Sequence, residues 1–328
     1  MREFFYVTTM IATVLLSCSK QEELNPESAK TALSVKAGIM VGTPTKAIID
    51  GTTFPDGSSI GVQVRKLGQS NYLAGTLTNV KYTYAAAGTT WSTTTPFYLT
   101  NVLGEVYAYY PYAIVGDNKT AFSTIPVTID ATITTGAEID YMYATPLTGV
   151  NSVSNATGKE KATLVMKHAF SQISFYVYKT NYSGTGTLTQ FKIEDAAATT
   201  FIKTSSTALT MDITDGTLAG GAKGTLDRTL TAPVTLTAIA PDANIATLKG
   251  QVNATTLAVP TTAFAIGDIK FTFIIDGETY TATNNTAITW LPGKQYIYTA
   301  KLEGTGLIIL SATITDWDTE SGGLIDIK

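Results

Sequence analysis

Few side chains in this sequence have the type and spacing that could do chemistry. Cys18 is the single cysteine, and it follows an apolar run over residues 4–16 that begins after the positively charged Arg2. A run of this length is too short to span a bilayer and is typical of the apolar part of a signal peptide. Leu15, Ser17 and Cys18 fit a bacterial lipobox, in which the cysteine becomes the new N-terminus.

The predicted role of Cys18 is lipid attachment, because an exported chain with one cysteine has no internal disulfide to make. We expect residues 1–17 to be a lipoprotein signal peptide, and acyl chains such as palmitate on Cys18 to hold the chain in the cell outer membrane. The alternative, a buried cysteine beside an N-terminal strand, leaves the apolar run unexplained. Residues 19–23 (SKQEE) resemble the acidic signal that sends lipoproteins of the Bacteroidetes to the cell surface.

No enzyme signature accompanies this cysteine. His168 is the only histidine, so neither a metal site nor a Ser-His-Asp relay has its usual set of groups, and a structural histidine is expected. Carboxylates that could make a glycosidase pair are scattered singly, at Asp140, Glu194, Asp195, Asp212, Asp215, Asp276 and Glu278. A tyrosine cluster over residues 107–112 could stack on a sugar, but a strand with alternate tyrosines in the core is favoured. We therefore predict no catalytic residue, no metal and no cofactor.

Composition indicates an all-β fold. Threonine is prominent, with valine, isoleucine and tyrosine behind it, and these residues are enriched on pleated, half-buried surfaces. The one helical turn that the sequence suggests lies at Lys167–Phe170. A formal net charge of −4 gives no electrostatic reason to bind nucleic acid. Removing 17 residues from 328 leaves 311, which fits two β-sandwich domains better than a single barrel.

The sequence predicts four segments along the chain. Residues 1–17 are the signal peptide, and residues 18–46 combine a polar tether with a first strand. An N-terminal sandwich follows over residues 47–160, and a C-terminal sandwich over residues 161–328. The first strand shows period-two alternation with one apolar face, made by Leu33, Val35, Ala37, Ile39 and Val41.

Five short segments in order resemble the fimbrillin family, the subunits of type V pili of the Bacteroidales. They are GSSIGV at residues 57–62, VYAYYPY at 106–112, MKHAFSQI at 166–173, WLPGKQYIY at 290–298 and ITDW at 314–317. Each segment is weak alone, but together they extend over nearly the whole chain behind a lipobox. The resemblance implies two transthyretin-like β-sandwich domains in tandem and no catalytic activity.

The resemblance also implies an assembly pathway. A trypsin-like surface protease would cut after the first strand, here at Lys46–Ala47, so that residues 32–41 become a removable plug. The C-terminal strands of the next subunit would then fill the groove head to tail, since a contact of this kind does not close on itself and builds a filament. The expected donor strand carries Ile308, Leu310, Ala312, Ile314 and Trp317.

Some alternatives stay open at the level of sequence. The best-known cleavage site of the family has arginine, whereas this chain has none between Arg2 and Arg65, and lysine does not fully replace arginine. A chain that keeps its plug would be an anchor subunit, and a tip subunit is a third position. The last strand could be an ordinary intradomain strand. A surface lipoprotein that binds glycans and never polymerises is the alternative of another class.

Overall fold

The computed structural model describes residues 30–39, 54–73, 77–116, 118, 120–146, 152–196 and 202–317. Apart from Lys30, these residues belong to the compact unit that begins at Thr31. The first ten strands are β1 (Ser34–Ile39), β2 (Ser59–Lys66), β3 (Val80–Ala85), β4 (Thr90–Ser92), β5 (Gly104–Tyr110), β6 (Thr124–Pro126), β7 (Thr132–Thr134), β8 (Met142–Ala144), β9 (Ser152–Val153) and β10 (Lys161–His168).

The rest of the chain continues with strands and one helix. They are β11 (Ser171–Thr180), β12 (Thr187–Asp195), β13 (Lys203–Asp212), β14 (Leu218–Lys223), β15 (Leu226–Thr235), α1 (Ile245–Gln251), β16 (Ala254–Ala258), β17 (Thr261–Phe264), β18 (Ile269–Ile275), β19 (Glu278–Thr283), β20 (Ile288–Trp290), β21 (Lys294–Glu303) and β22 (Gly306–Asp316). The prediction of a mostly β protein is confirmed.

An eight-stranded sheet encloses the first of the two larger hydrophobic cores in the described part of the chain. Its strand order is β1-β10-β8-β5-β2-β3-β4, with β9 paired to β5. Strand β10 alternates buried and exposed residues, so Ala162, Leu164 and Met166 face this first core together. On β2, Gly61 leaves room for the ring of Tyr109, because an added Cβ would lie 2.2 Å from Tyr109 Cζ.

The second core lies between sheets from the rest of the chain. A four-stranded sheet has the order β16-β11-β21-β22, and a five-stranded sheet has the order β19-β18-β12-β15-β7. Phe175 of β11 joins them, since its ring lies 5.3 Å from Phe191 of β12 and 5.2 Å from Phe273 of β18. These two sheets therefore pack face to face over aromatic side chains.

Strands from early and late parts of the chain mix. Strand β6 pairs with β13, and β7 pairs with β15, so both contribute to sheets of the second core. Strand β10 pairs with β1 and β8 in the first sheet. The division into domains at 47–160 and 161–328 stays a prediction.

The predicted helical turn at Lys167–Phe170 is wrong. Lys167 and His168 end strand β10, because their backbone pairs with Tyr143 and Met142 of β8. The described residues contain one α-helix, α1, whose cap Asn244 accepts hydrogen bonds from Ala246 and Thr247. None of the helices within the described ranges is long and apolar enough to cross a membrane.

Candidate functional site

Strand β1 lies at the edge of the first sheet and has one buried apolar face. It runs parallel to β10, with Val35 opposite Ala162 and Ile39 opposite Met166. The side chains of Leu33, Val35 and Ile39 are buried, Ala37 is half-buried, and the intervening Ser34 and Lys36 are exposed. The predicted alternation is therefore present as far as Ile39, whereas Val41 falls outside the described residues.

Two aromatic side chains hold the backbone of β1. The hydroxyl of Tyr82 donates to the carbonyl oxygen of Leu33 at 2.9 Å, and burial raises the pKa of Tyr82 to about 12. The Nε1 of Trp91, on the opposite edge strand β4, donates to the carbonyl oxygen of Ala37 at 3.0 Å. The strand and the residues directly before it are thus held by one parallel ladder, by two side-chain bonds, and by backbone bonds of Thr31 and Leu33 to residues 97–99. The predicted cleavage residues Lys46 and Ala47 lie outside the described residues.

Strand β22 is the second edge strand of interest, and it exposes large apolar side chains. Among the residues that the structure describes, β21 is its one ladder partner. Ile308 is 44% exposed, Leu310 is 42% exposed, Ile314 is 60% exposed, and Ala312 between them is also exposed. An unpaired strand edge with exposed apolar side chains is a template for pairing with another chain.

A register shift divides the side chains of β22 between the two faces of the sheet. The pairing of β22 with β21 shifts between Thr299 and Ala300, so Ser311 faces Thr299 while Ile309 faces Ala300. Ile309 is buried in the second core, and its neighbours Ile308 and Leu310 are exposed. The bulge changes which side chains face the core along the strand. Directly opposite residues share a face, so Ala312 and Ile314 lie on the face of Ile309, whereas Ile308 lies on the other face. Only in a strand without the bulge would Ile308, Leu310, Ala312 and Ile314 share one face.

Trp317, directly after β22, is buried although the strand before it is exposed. Its ring stacks on the ring of His168 with centroids 3.9 Å apart and planes 9° from parallel. Nδ1 of His168 lies 2.8 Å from Oδ2 of Asp140, and both residues are buried. The backbone N–H of Trp317 also donates to the carbonyl oxygen of Gly293 at 3.1 Å. We call Asp140, His168 and Trp317 the terminal clamp.

The carboxylates, the histidine and the tyrosine cluster that the sequence offers for chemistry do not assemble into a reactive centre. The carboxylate of Asp140 pairs with His168, and Trp317 covers the ring of that histidine. Among the described residues, no group of three or more His, Cys, Asp and Glu side chains could hold a metal ion. In the tyrosine cluster, Tyr109 is fully buried, and Arg65 lies over the half-buried ring of Tyr107, 4.7 Å from its centroid.

Sequence reasoning missed three contributions to this site. It treated His168 as a lone structural residue and did not pair it with Asp140 or with Trp317. It also did not assign Tyr82 and Trp91 to the seat of β1. The alternating apolar residues of β1 and β22 were readable as patterns, but contacts between residues far apart in the chain have no local signal.

Several solved structures share this fold. A putative cell adhesion protein from Bacteroides ovatus ATCC 8483 matches with a TM-score of 0.63 at 20% identity, over 89% of this chain and 100% of that chain. Another from Bacteroides uniformis ATCC 8492 matches with a TM-score of 0.59 at 18% identity, over 88% and 99% of the two chains. A fimbrial protein from Bacteroides vulgatus ATCC 8482 gives 0.54 at 13% identity, over 87% and 99%. These similarities establish a shared fold.

The family follows from the sequence itself. A family profile described as fimbrillin-like matches residues 45–317, which is most of the chain. The chain therefore belongs to the fimbrillin-like family, and the resemblance drawn from its five short segments is confirmed. The same membership confirms the expectation that it is not an enzyme. A search of curated proteins found no match.

Proposed function

We propose that this protein is a structural pilus subunit that polymerises by donor-strand exchange and supports cell adhesion. In this proposal it is exported as a lipoprotein through Cys18, reaches the cell surface, and is cut at Lys46–Ala47 by a trypsin-like protease. The observation that carries the proposal is the row of exposed apolar side chains on edge strand β22, Ile308, Leu310 and Ile314, because a soluble monomer gains nothing from it. The two hydrophobic cores are proposed to be two transthyretin-like sandwich domains.

The removable plug is proposed to be β1. It lies at a sheet edge, and one neighbouring strand supplies its whole ladder. Its departure would uncover a groove lined by Ala162, Leu164 and Met166 of β10, which are buried beside it. An open groove of this kind is an aggregation hazard until another strand fills it.

The donor residues match the plug residues in order. The plug reads Leu33, Val35, Ala37 and Ile39, and β22 reads Ile308, Leu310, Ala312 and Ile314. Both series place alanine third, and Ala37 is the position where the indole of Trp91 crosses the strand. We therefore expect the donor to run parallel to β10, as β1 does, with Ala312 under Trp91. Each aliphatic side chain fully buried in this way contributes roughly 1.5–3 kcal/mol.

The test compares two substitutions of equally exposed isoleucines. Ile314 is 60% exposed on β22, and Ile239 is 62% exposed in the segment before α1. In Ile314→Asp, a carboxylate enters the groove of the next subunit, where an unpaired charge is strongly disfavoured. We expect Ile314→Asp to remain a folded monomer after cleavage, whereas Ile239→Asp forms the same SDS-resistant ladder as the unsubstituted chain.

Equal ladders from both variants would overturn the role of β22 as donor. If the unsubstituted chain resists cleavage and does not polymerise, it fits an anchor subunit that keeps its plug. If it is cleaved and stays monomeric, it fits a tip subunit or a non-polymerising lipoprotein that binds glycans. Binding of the monomer to a glycan array would then favour the last of these.

A further inference from the structure

The end of β22 is held much more firmly than its body. Ile314 is 60% exposed, whereas Trp317 is only 3% exposed and its ring stacks on His168 at 3.9 Å. Lys249 of α1 adds bonds from its Nζ to the carbonyl oxygens of Asp316, at 3.0 Å, and Trp317, at 3.3 Å. Strand β22 is held by its ladder with β21, by the buried Ile309 and by this buried end, so Trp317 contributes to how easily β22 leaves its own subunit.

The residue that stacks on Trp317 belongs to the strand that holds the plug. His168 is the last residue of β10, and Met166, two positions earlier, pairs with Ile39 of β1. Successive side chains of a strand alternate between its faces, so His168 continues the row of Leu164 and Met166. The row of β10 side chains that packs beside the plug therefore ends in the imidazole ring of His168, and Trp317 at the end of the donor strand stacks on that ring.

We propose that the terminal clamp couples the plug to the donor strand, so that β22 is withheld while β1 is in place and is released when β1 leaves. This inference rests on the proposed function and adds its order of events. In strand β10, residues 161–166 pair with β1, whereas Lys167 and His168 pair with β8, so residues 161–166 lose their ladder when β1 departs. Segments with few backbone hydrogen bonds open more readily, so unpairing of residues 161–166 loosens the position of His168, two residues further along the same strand, under Trp317.

The consequence is a subunit that does not polymerise early. A donor strand released before the plug is cut would have no open groove to enter and would expose apolar side chains during export. The clamp makes opening of the groove and release of the donor consecutive events in one molecule. Asp140 is a positioning residue in this scheme, because its carboxylate fixes the imidazole of His168 at 2.8 Å.

The experiment measures hydrogen exchange of the β22 segment, residues 306–317, in the chain that begins at Cys18. The concentration is kept low enough that size-exclusion chromatography shows only monomer. Two routes displace β1: proteolytic cutting between β1 and β2, and the substitution Val35→Asp, which places a carboxylate opposite Ala162. We expect exchange in the β22 segment to rise at least tenfold by either route.

Two variants separate the clamp from general loosening. In His168→Ala, exchange of the β22 segment is expected to be fast already in the uncut chain and to rise less than twofold when β1 is displaced. The control is Lys167→Ala, which changes the exposed neighbour on the other face of β10 and should behave as the unsubstituted chain. Because destabilisation of the whole fold would raise exchange everywhere, the segment over β12 and β18 serves as an internal reference.

The outcomes also distinguish this inference from the proposed function. Unchanged β22 exchange after β1 has demonstrably left, in both routes, would overturn the coupling. If such cut chains still form ladders at high concentration, strand exchange stands without the clamp. If hydrogen exchange of β22 rises as expected but the cut chain forms no polymer at high concentration, the coupling of β1 to β22 is supported and the proposed polymerisation is wrong.

Discussion

Removing the hydroxyl of Tyr82 should loosen the plug strand selectively. This group is buried and donates to the carbonyl oxygen of Leu33 at 2.9 Å, so Tyr82→Phe deletes one of the two aromatic bonds that hold β1. A hydrogen bond of this kind contributes about 1 kcal/mol net. That free energy corresponds to a roughly fivefold larger opening constant for β1.

The assay is hydrogen exchange of residues 33–39 at neutral pH. A matched control comes from Tyr72, which is equally buried in the first core and whose hydroxyl bonds to Val102 and Thr100 rather than to β1. We expect Tyr82→Phe to raise the hydrogen-exchange rate of β1 roughly fivefold relative to the rate of β5, because about 1 kcal/mol is lost with the bond to Leu33. Tyr72→Phe should leave that ratio unchanged. Equal ratios in the two variants would refute the idea that Tyr82 seats the plug.

The pKa of Tyr82 gives the same bond a pH dependence with a defined sign. Burial raises this pKa from 10.0 to about 12, so folding favours the neutral hydroxyl. The stabilisation is complete below pH 10 and is lost as the pH rises towards 12. Exchange of β1 in the unsubstituted chain should therefore accelerate across this interval, and Tyr82→Phe should lack that component. An identical acceleration in both chains would contradict this assignment.

Three further predictions concern other parts of the chain. Arg228→Met leaves the buried carboxylate of Glu138 without its partner and should lower the free energy of unfolding by roughly 3–5 kcal/mol, measured by urea denaturation. Asp276 accepts bonds from the backbone N–H groups of Thr187 and Gly186, which lower its pKa from 3.8 to about 2. The stabilisation from Asp276 is therefore present above pH 3.8 and disappears as the pH falls towards 2. Asp276→Asn should flatten the dependence of the thermal-unfolding temperature on pH in this interval. Cys18→Ser should abolish lipid attachment, which the loss of an acyl mass increment in intact-protein mass spectrometry would check.

The sequence predicted those features of the site that repeat locally. Period-two alternation is visible along Leu33 to Ile39 because adjacent side chains of a strand face opposite ways. The same pattern marked the last strand, although its bulge opposite Thr299 and Ala300 left no readable signal. Helix α1 was missed because seven residues give too little periodicity, even with Asn244 as a capping signal.

The parts that escaped prediction depend on distant pairing. The parallel ladder between β1 and β10 joins residues 34–39 to residues 161–166, and no local pattern specifies such a partner. The terminal clamp likewise requires that Asp140, His168 and Trp317 converge from three separate segments. The mistaken helical turn at Lys167–Phe170 has the same origin, because pairing with β8 outweighs weak local preference.

The most direct test of the proposed function is limited trypsin digestion of the chain that begins at Cys18. N-terminal sequencing and size-exclusion chromatography follow the digestion. The proposal predicts a new N-terminus at Ala47, loss of β1 from the product, and SDS-resistant ladders that grow with time. A protected Lys46, or a chain cut at that bond that remains monomeric, would contradict a polymerising pilus subunit.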